Sequence, residues 1–278
     1  MIDLHLHPNY SIDAEGSIID FCEAAVKKKL QTICFTTHLD TGPNRNDCYV
    51  RVNGAVVHVL SDAWLEDYEL SIRQADETYD DLRILLGVEV DLYPGVEQYL
   101  PERFHNTDFD LVIGSIHLMD GYAISLEDEA NELFKTHDLL ELGEHYFSLL
   151  LDSMDLGLYD IIGHIDIYRR YGENYYGKGI HSVWKPHIKN LIRKMKKHQI
   201  GFEINTSTWR KGLNEPMPEE ELVQQLVNLG IDNVTLGSDA HSPSQVGDGI
   251  DRAVLLVKKC GLQELTIYNK RKPSKISI

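Results

Sequence analysis

The sequence predicts an α/β protein with parallel strands inside and helices outside. Two observations carry this. Seven short apolar runs, "IDLHLH", "QTICFTTH", "RILLGVEVD", "DLVIGSIHLM", "DIIGHIDIY", "IGFEINTS" and "NVTLGSDAH", alternate with helical patterns along 278 residues. Most of these runs are continuous in hydrophobicity, which is how strands buried on both faces read. Repeated strand–helix–strand units imply a parallel sheet covered by helices, either doubly wound or closed into a barrel. In both, functional groups gather at the carboxyl ends of the strands. The length suits one α/β barrel, and a single domain over 1–278 is expected.

Each element has its own justification. In "MIDLHLHP" side chains alternate, so Ile2, Leu4 and Leu6 share one face and Asp3, His5 and His7 the other. His5 and His7 lie about 6.5–7 Å apart along such a strand, a spacing from which both imidazoles can reach one metal ion at about 2.0–2.1 Å. A pair of hydrogen-bonded histidines at a sheet end fits the same stretch. "SIIDFCEAAVKKKL" reads as a helix. Residues 41–59 contain Gly, Asn and Pro without periodicity and read as a loop or lid. Residues from about 130 to 157 read as helical. Trp184, Ile188, Leu191, Ile192 and Met195 fall on one helix face, with Pro186 near its start. Pro218 precedes "EEELVQQLVNLG", which Gly230 ends. Ile250, Ala253, Val254 and Val257 form a last stripe, closed by Gly261. The runs "RKMKK" and "NKRKPSK" read as a solvated helix face and a solvated tail.

Composition narrows the function. The hydrophobic share, 42%, supports a sizeable core. No run of about 18 apolar residues is present to span a membrane, and the start reads as fold, without a secretory leader. Cys22, Cys34, Cys48 and Cys260 are scattered with no CxxC, as reduced thiols are, so a cytoplasmic location is expected. A net charge of −17 argues against a nucleic-acid partner. Nothing in the pattern specifies an oligomer.

The polar residues fall regularly. The predicted strands end in His5 and His7, Thr36 and His38, Glu89 and Asp91, Ser115 and His117, His164 and Asp166, Glu203 and Asn205, and Asp239 and His241. Two apart on a strand means one face, and the carboxyl ends of parallel strands form one rim. These groups therefore surround a single point. Gathering so many ionisable groups without counter-charge is costly, and a cluster of metal ions removes the cost. Histidine with carboxylate and no thiolate suits zinc, iron or manganese. Asp13, in "NYSIDAEG", adds an oxygen ligand. His58, His105, His137, His145, His181, His187 and His198 lack this placement and read as surface or packing residues.

In order, "DLHLH", "TTHLD", "GVEVD", "GSIH", "GHID", "INT" and "GSDAH" resemble the motifs of the polymerase-and-histidinol-phosphatase (PHP) superfamily from Ile2 to about Gly249. "GVEVDLYPGVE", "FDLVIGSIHLMDG" and "EINTSTWRKG" are similar to its stand-alone histidinol-phosphate phosphatases. The resemblance implies a distorted barrel of seven parallel strands with helices outside, holding two to three divalent metal ions. It implies His5, His7, Glu89 and Asp239 at the first, Glu89, His117 and His164 at the second with Glu89 bridging, and Asp13, His38 and His241 at the third. Asp13 stands where a histidine is common, which favours a harder metal or partial occupancy.

The implied activity is hydrolysis of a small phosphate ester, L-histidinol phosphate in histidine biosynthesis, or else a nucleotide or sugar phosphate. A hydroxide between two metals would attack phosphorus in line, with Glu89, Asp13 and Asp239 as catalytic carboxylates. Asp13 or a metal-held water could protonate the leaving oxygen. Three divalent ions, about +6 in all, would leave the acidic pocket positive. Arg170, in "DIYRRYG", and Arg210, in "NTSTWRKG", suit the phosphate because a guanidinium donates two bonds at once; Arg169 and Lys211 are their neighbours. Glu203, Asp91 and Asp166 are candidates for a substrate amino group. A metal-dependent amidohydrolase is disfavoured because no lysine ends a predicted strand. A non-catalytic barrel is disfavoured because no expected ligand position lacks a ligating residue.

Overall fold

The structure, a computed structural model, describes residues 1–42, 45 and 48–278. In chain order the strands are β1 (Ile2–Leu6), β2 (Thr32–Phe35), β3 (His38–Leu39), β4 (Tyr49–Val52), β5 (Ala55–His58), β6 (Arg83–Asp91), β7 (Leu111–Ser115), β8 (Leu118–Met119), β9 (Tyr122–Ala123), β10 (Ile161–Ile162), β11 (Gly201–Asn205), β12 (Val234–Gly237), β13 (Glu264–Asn269) and β14 (Lys272–Ser277). The helices are α1 (Ile18–Lys27), α2 (Asp62–Thr78), α3 (Glu127–Thr136), α4 (Leu139–Ser153), α5 (Arg169–Tyr176), α6 (Ile188–His198), α7 (Ser207–Arg210), α8 (Glu220–Asn228) and α9 (Ile250–Lys259).

All seven predicted strands form. They pair in the order β1-β2-β6-β7-β10-β11-β12, parallel throughout, and β3 adds to the outer half of β6. The ring closes from β12 back to β1. Leu6 bridges Ala240 in parallel, the His7 amide donates to the Ala240 carbonyl at 2.8 Å, and the Asp3 carboxylate accepts from Ser238 N (2.8 Å), Ser238 Oγ (2.6 Å) and Gly247 N (2.7 Å). The strands are apolar on both faces because both are covered: one by the barrel interior, the other by the helices. The expected distorted (β/α)7 barrel is therefore present.

Helix ends follow local chemistry. Ser17 caps α1 and Asp138 caps α4, each in a reciprocal capping box with the residue three further on, Asp20 and Glu141. Asp138 also divides the expected helical stretch near 130–157 into α3 and α4. Helix α6 begins later than its apolar stripe, with Trp184 buried in the preceding turn.

Two expectations are corrected. The 41–59 stretch is no irregular lid, because β4 and β5 make an antiparallel hairpin within it; Pro43, Asn44, Asn46 and Asp47 lie outside the described residues. The alternation Tyr49–Val52 was hidden by the Asn-Gly turn at 53–54, which is itself a hairpin signal. The basic end is not a free tail. Lys270 and Arg271 turn β13 into β14, and Arg271 Nε pairs with Asp160 at 3.1 Å beneath the barrel.

Replacing Asp3 by alanine leaves the buried Ser238 amide and the part-buried Gly247 amide without acceptors. At about 1–3 kcal/mol for each buried unsatisfied group, Asp3→Ala should lower unfolding stability by about 3 kcal/mol. An unchanged urea midpoint would contradict the part given to Asp3 in closing the ring.

Candidate metal centre

Glu89 is the hub. It sits in the carboxyl half of β6, fully buried, and its two oxygens face different groups. Oε2 lies 3.2 Å from His5 Nε2, 3.5 Å from His7 Nε2 and 2.9 Å from His38 Nδ1. Oε1 lies 2.9 Å from His164 Nε2 and 3.3 Å from His117 Nε2, and accepts from Ser115 Oγ at 2.6 Å. One carboxylate thus stands between two sets of imidazoles. Asp239 Oδ1 adds a second carboxylate, 3.4 Å from His7 Nε2 and 3.9 Å from His5 Nε2. On the open side Asp13 Oδ2 lies 3.2 Å from His241 Nε2 and 3.8 Å from His38 Nε2. All nine predicted ligands therefore converge.

The backbone explains how. His5 belongs to β1, and His7 follows it on the same side. His164 and Asp239 stand beyond the ends of β10 and β12, both with positive φ, 24° and 53°. Ordinary residues rarely adopt that conformation, and it turns these side chains inward where a straight strand would not. Gly237 makes the room. A Cβ there would lie 2.0 Å from Glu203 Oε1 and 2.4 Å from His5 Cβ. Asp13 is placed by the β4–β5 hairpin: Arg51 donates to the carbonyls of Asn9, Ser11, Ala14 and Ile12 at 3.0–3.4 Å, binding the loop that carries it.

The donor set fits metal ions on two grounds. His5 Nε2, His7 Nε2, His38 Nδ1 and Glu89 Oε2 are buried and make no hydrogen bond, an expensive state without a cation. Around them lie outer partners of the kind that orient ligands. Glu203 Oε1 lies 2.6 Å from His5 Nδ1, and Asp40 Oδ1 lies 3.0 Å from His117 Nδ1. Without a cation the groups pull on one another. Burial opposes the charge on Glu89, but His5 and His117 hold its carboxyl well below the usual range. Burial, together with His38 and His241, pushes His7 well below the ordinary imidazole value. Burial opposes the charge on Asp13 as well, but His38 and His241 hold it low. It stays ionised, the form a ligand needs.

A cavity of about 630 Å³ opens over this cluster, lined by Asp13, His38, Glu89, His117, His164, Asp239 and His241, and by Asp40, Asp91, Arg45, Tyr171, Arg170, Arg210 and Lys211. Of the predicted phosphate ligands, Arg170 is buried with its Nε unpartnered, its Nη2 3.3 Å from Ser207 Oγ and 3.5 Å from Asp239 Oδ2. Arg210 also faces the cavity, but it donates to the carbonyls of Ser238 (2.8 Å) and Asp239 (3.0 Å), steadying the turn that carries Asp239. Arg169 points elsewhere, into a buried pair with Asp166 at 2.6 Å and a bond to the Pro216 carbonyl.

The strand-end pattern overreached at several residues. Asp166 accepts from Arg169 and from the Glu219 amide and does not reach the cluster, because β10 ends at Ile162. Thr36 bonds to the Leu6 backbone within the sheet. Asn205 donates to Glu203 and accepts from Ser207. Glu203 is buried behind His5, so it cannot meet a substrate amine. Asp91 stays at the cavity, accepting from Thr41 N at 2.8 Å. Asp40 was missed, although it ends the "TTHLD" motif two residues after His38.

Comparison with known proteins identifies the family. A probable histidinol-phosphatase of Deinococcus radiodurans is 28% identical over 272 residues, covering 98% of both chains. A histidinol-phosphatase of Lactococcus lactis is 25% identical over 280 residues, 99% of this chain and 96% of that one. The crystal structure of the histidinol phosphate phosphatase from Lactococcus lactis, complexed with zinc, L-histidinol and phosphate, superposes with a TM-score of 0.79 at 23% identity, over 99% of this chain and 98% of that one. The PHP domain model matches residues 3–207, most of the barrel and all but two of the converging ligands, and the chain belongs to the PHP domain family.

Proposed function

We propose that this chain is a metal-dependent phosphomonoesterase, hydrolysing L-histidinol phosphate to L-histidinol and phosphate as a step of histidine biosynthesis. The observation that carries the reading is the Glu89 carboxylate set between two groups of imidazoles beneath an open cavity lined by Arg170 and Lys211. The relatives' names supply the substrate. We take 1–278 as one barrel domain acting in the cytoplasm.

His5, His7, Glu89 and Asp239 would hold one divalent ion, Glu89, His117 and His164 a second, and Asp13, His38 and His241 a third; zinc, manganese and iron all suit these donors. Bound there, divalent ions lower the pKa of water toward about 7 and draw charge from phosphoryl oxygens. The protein's own groups do the rest. Glu203 and Asp40 fix the rings of His5 and His117. Arg170 faces the cavity with donors free for a phosphate oxygen, and Lys211 adds a charge beside it. Asp91 and Asp40 give the cavity a negative lining suited to a substrate ammonium. Burial and Asp40 push the Asp91 carboxyl up to about 6, which leaves it mostly ionised at neutral pH. The cavity's size is that of a small-molecule site.

Phosphate release from L-histidinol phosphate, measured beside a panel of nucleotide and sugar phosphates, tests the substrate. A clear preference for histidinol phosphate is expected. Faster turnover of a nucleotide or sugar phosphate would replace the substrate and leave the phosphatase reading standing.

Two substitutions separate metal from phosphate. Glu89→Ala should abolish activity and lower metal content by elemental analysis. Arg170→Ala should keep the metals and lower kcat/KM by about 10²-fold, the usual loss for one donor to developing charge. Full activity of a metal-loaded Glu89→Ala protein would remove the bridging role.

Lys211 gives a pH signature. Burial and the neighbouring Arg170 push its ammonium down to about 8, and bound cations push the same way. Its charge is therefore present below that value and lost above it. kcat/KM, which reports the free enzyme, should fall as pH rises through about 8. Lys211→Gln should be slower at neutral pH and lack that limb. A limb that persists in Lys211→Gln would assign it to another group.

A further inference from the structure

A second group of ligating atoms stands apart from the Glu89 cluster. Asp120, in the turn between β8 and β9, places Oδ2 3.2 Å from His137 Nε2 and 3.4 Å from His145 Nδ1. The three ligand atoms all lie within 4.8 Å of one another. Two donors at about 2.0–2.1 Å from a tetrahedral zinc ion are about 3.3 Å apart, so both spacings are those of edges of a zinc tetrahedron.

The surroundings of His137 add an independent argument. Its Nδ1 lies 2.9 Å from Thr136 Oγ1 and 3.3 Å from the Leu133 carbonyl. A carbonyl only accepts, so the tautomer that satisfies it carries its proton on Nδ1, and in that tautomer the lone pair of Nε2 faces a carboxylate. That arrangement is satisfied by a cation between them, either a second proton or a metal. A backbone carbonyl on the far ring nitrogen is also the usual support of a metal-bound histidine. His145 is held in register by the Asp138–Glu141 capping box that opens α4.

We propose that Asp120, His137 and His145 bind one zinc-class divalent cation, with water completing its shell. The ion ties the β8–β9 turn to the corner between α3 and α4. That hairpin follows directly on His117 and lends Leu118 and Ala123 to the cavity wall, so the ion braces one side of the substrate cavity. The site stands on its own residues and does not depend on the substrate proposed above. Asp120 and His145 are part-exposed, with side-chain accessibilities of 42% and 35%, so this ion exchanges more readily than those held around buried Glu89.

The test uses the metal-loaded full chain and three single variants, Asp120→Asn, His137→Gln and His145→Gln, dialysed against one zinc buffer. Elemental analysis should find each variant one zinc equivalent below the parent. Hydrogen exchange should locate the loss: zinc should slow amide exchange at 118–123 severalfold in the parent and not in His145→Gln. Asp120 and His145 are part-exposed, and any two folded variants suffice for the count. A zinc count equal to the parent's in the folded variants overturns the proposal, because protons then fill the cation's place. A lost equivalent with unchanged exchange at 118–123 overturns it too, by placing the ion elsewhere.

Discussion

The barrel is organised around a desolvated carboxylate. Glu89 has no access to solvent, and an isolated buried carboxylate is among the costliest groups a fold can carry. Five imidazoles and the Ser115 hydroxyl surround it. These partners come from β1 and the residue just past it, from β3, from the end of β7, and from the segments after β7 and β10. No local stretch could supply them. Only a closed ring of parallel strands brings so many carboxyl ends within reach of one side chain. The same constraint explains the polar residues beneath the rim. Asp3 closes the ring under His5, and Glu203 backs His5 from the neighbouring layer.

This account makes the strained positions intelligible. His164 and Asp239 adopt backbone conformations that glycine would accept more readily, and Gly237 stands where a methyl group would collide with Glu203 and His5. Straight strands would send alternate side chains to opposite faces. Convergence of ligands from different heights of the barrel therefore requires the backbone to turn just past the strand ends. The strain is local, and the dense packing of the strands below holds it in place.

The fold and the convergence of these side chains were legible in the sequence for a related reason. Strands buried on both faces leave continuous apolar runs, and a polar residue at the end of such a run has few structural excuses. His5, His7, Glu89 and His117 stood out on that ground. What misled was the assumption that each strand extends to its last apolar residue. β10 is two residues long, so Asp166 falls past the rim and joins Arg169 instead. The β4–β5 hairpin went unread because its Asn-Gly turn lies in a polar stretch with one short alternation. Asp120, His137 and His145 could not have been grouped from sequence, since their proximity depends on where the α3–α4 corner meets a two-residue strand pair. Arg169 and Arg170 are adjacent, and only the direction of each side chain separates an internal ion pair from a cavity wall.

The net charge of −17 and an anionic phosphate ester are compatible because charge acts over short distances. At physiological ionic strength exposed charges beyond about 8 Å are largely screened, so the acidic outer surface contributes little inside the cavity. The basic lining of the cavity comes from Arg170, Lys211 and Arg210, the groups proposed to meet the phosphate, and nearby carboxylates are already committed. Asp239 faces His5, His7 and His241, and Asp13 faces His38 and His241. Asp40 and Asp91 line the same cavity beside His117, so it carries charge of both signs. A ligand with a phosphate at one end and an ammonium at the other meets complementary charge at both ends. A plain sugar phosphate satisfies only one, and a nucleotide brings further negative charge toward the acidic side. The polarity of the cavity, more than its size, is what favours an amino-alcohol phosphate.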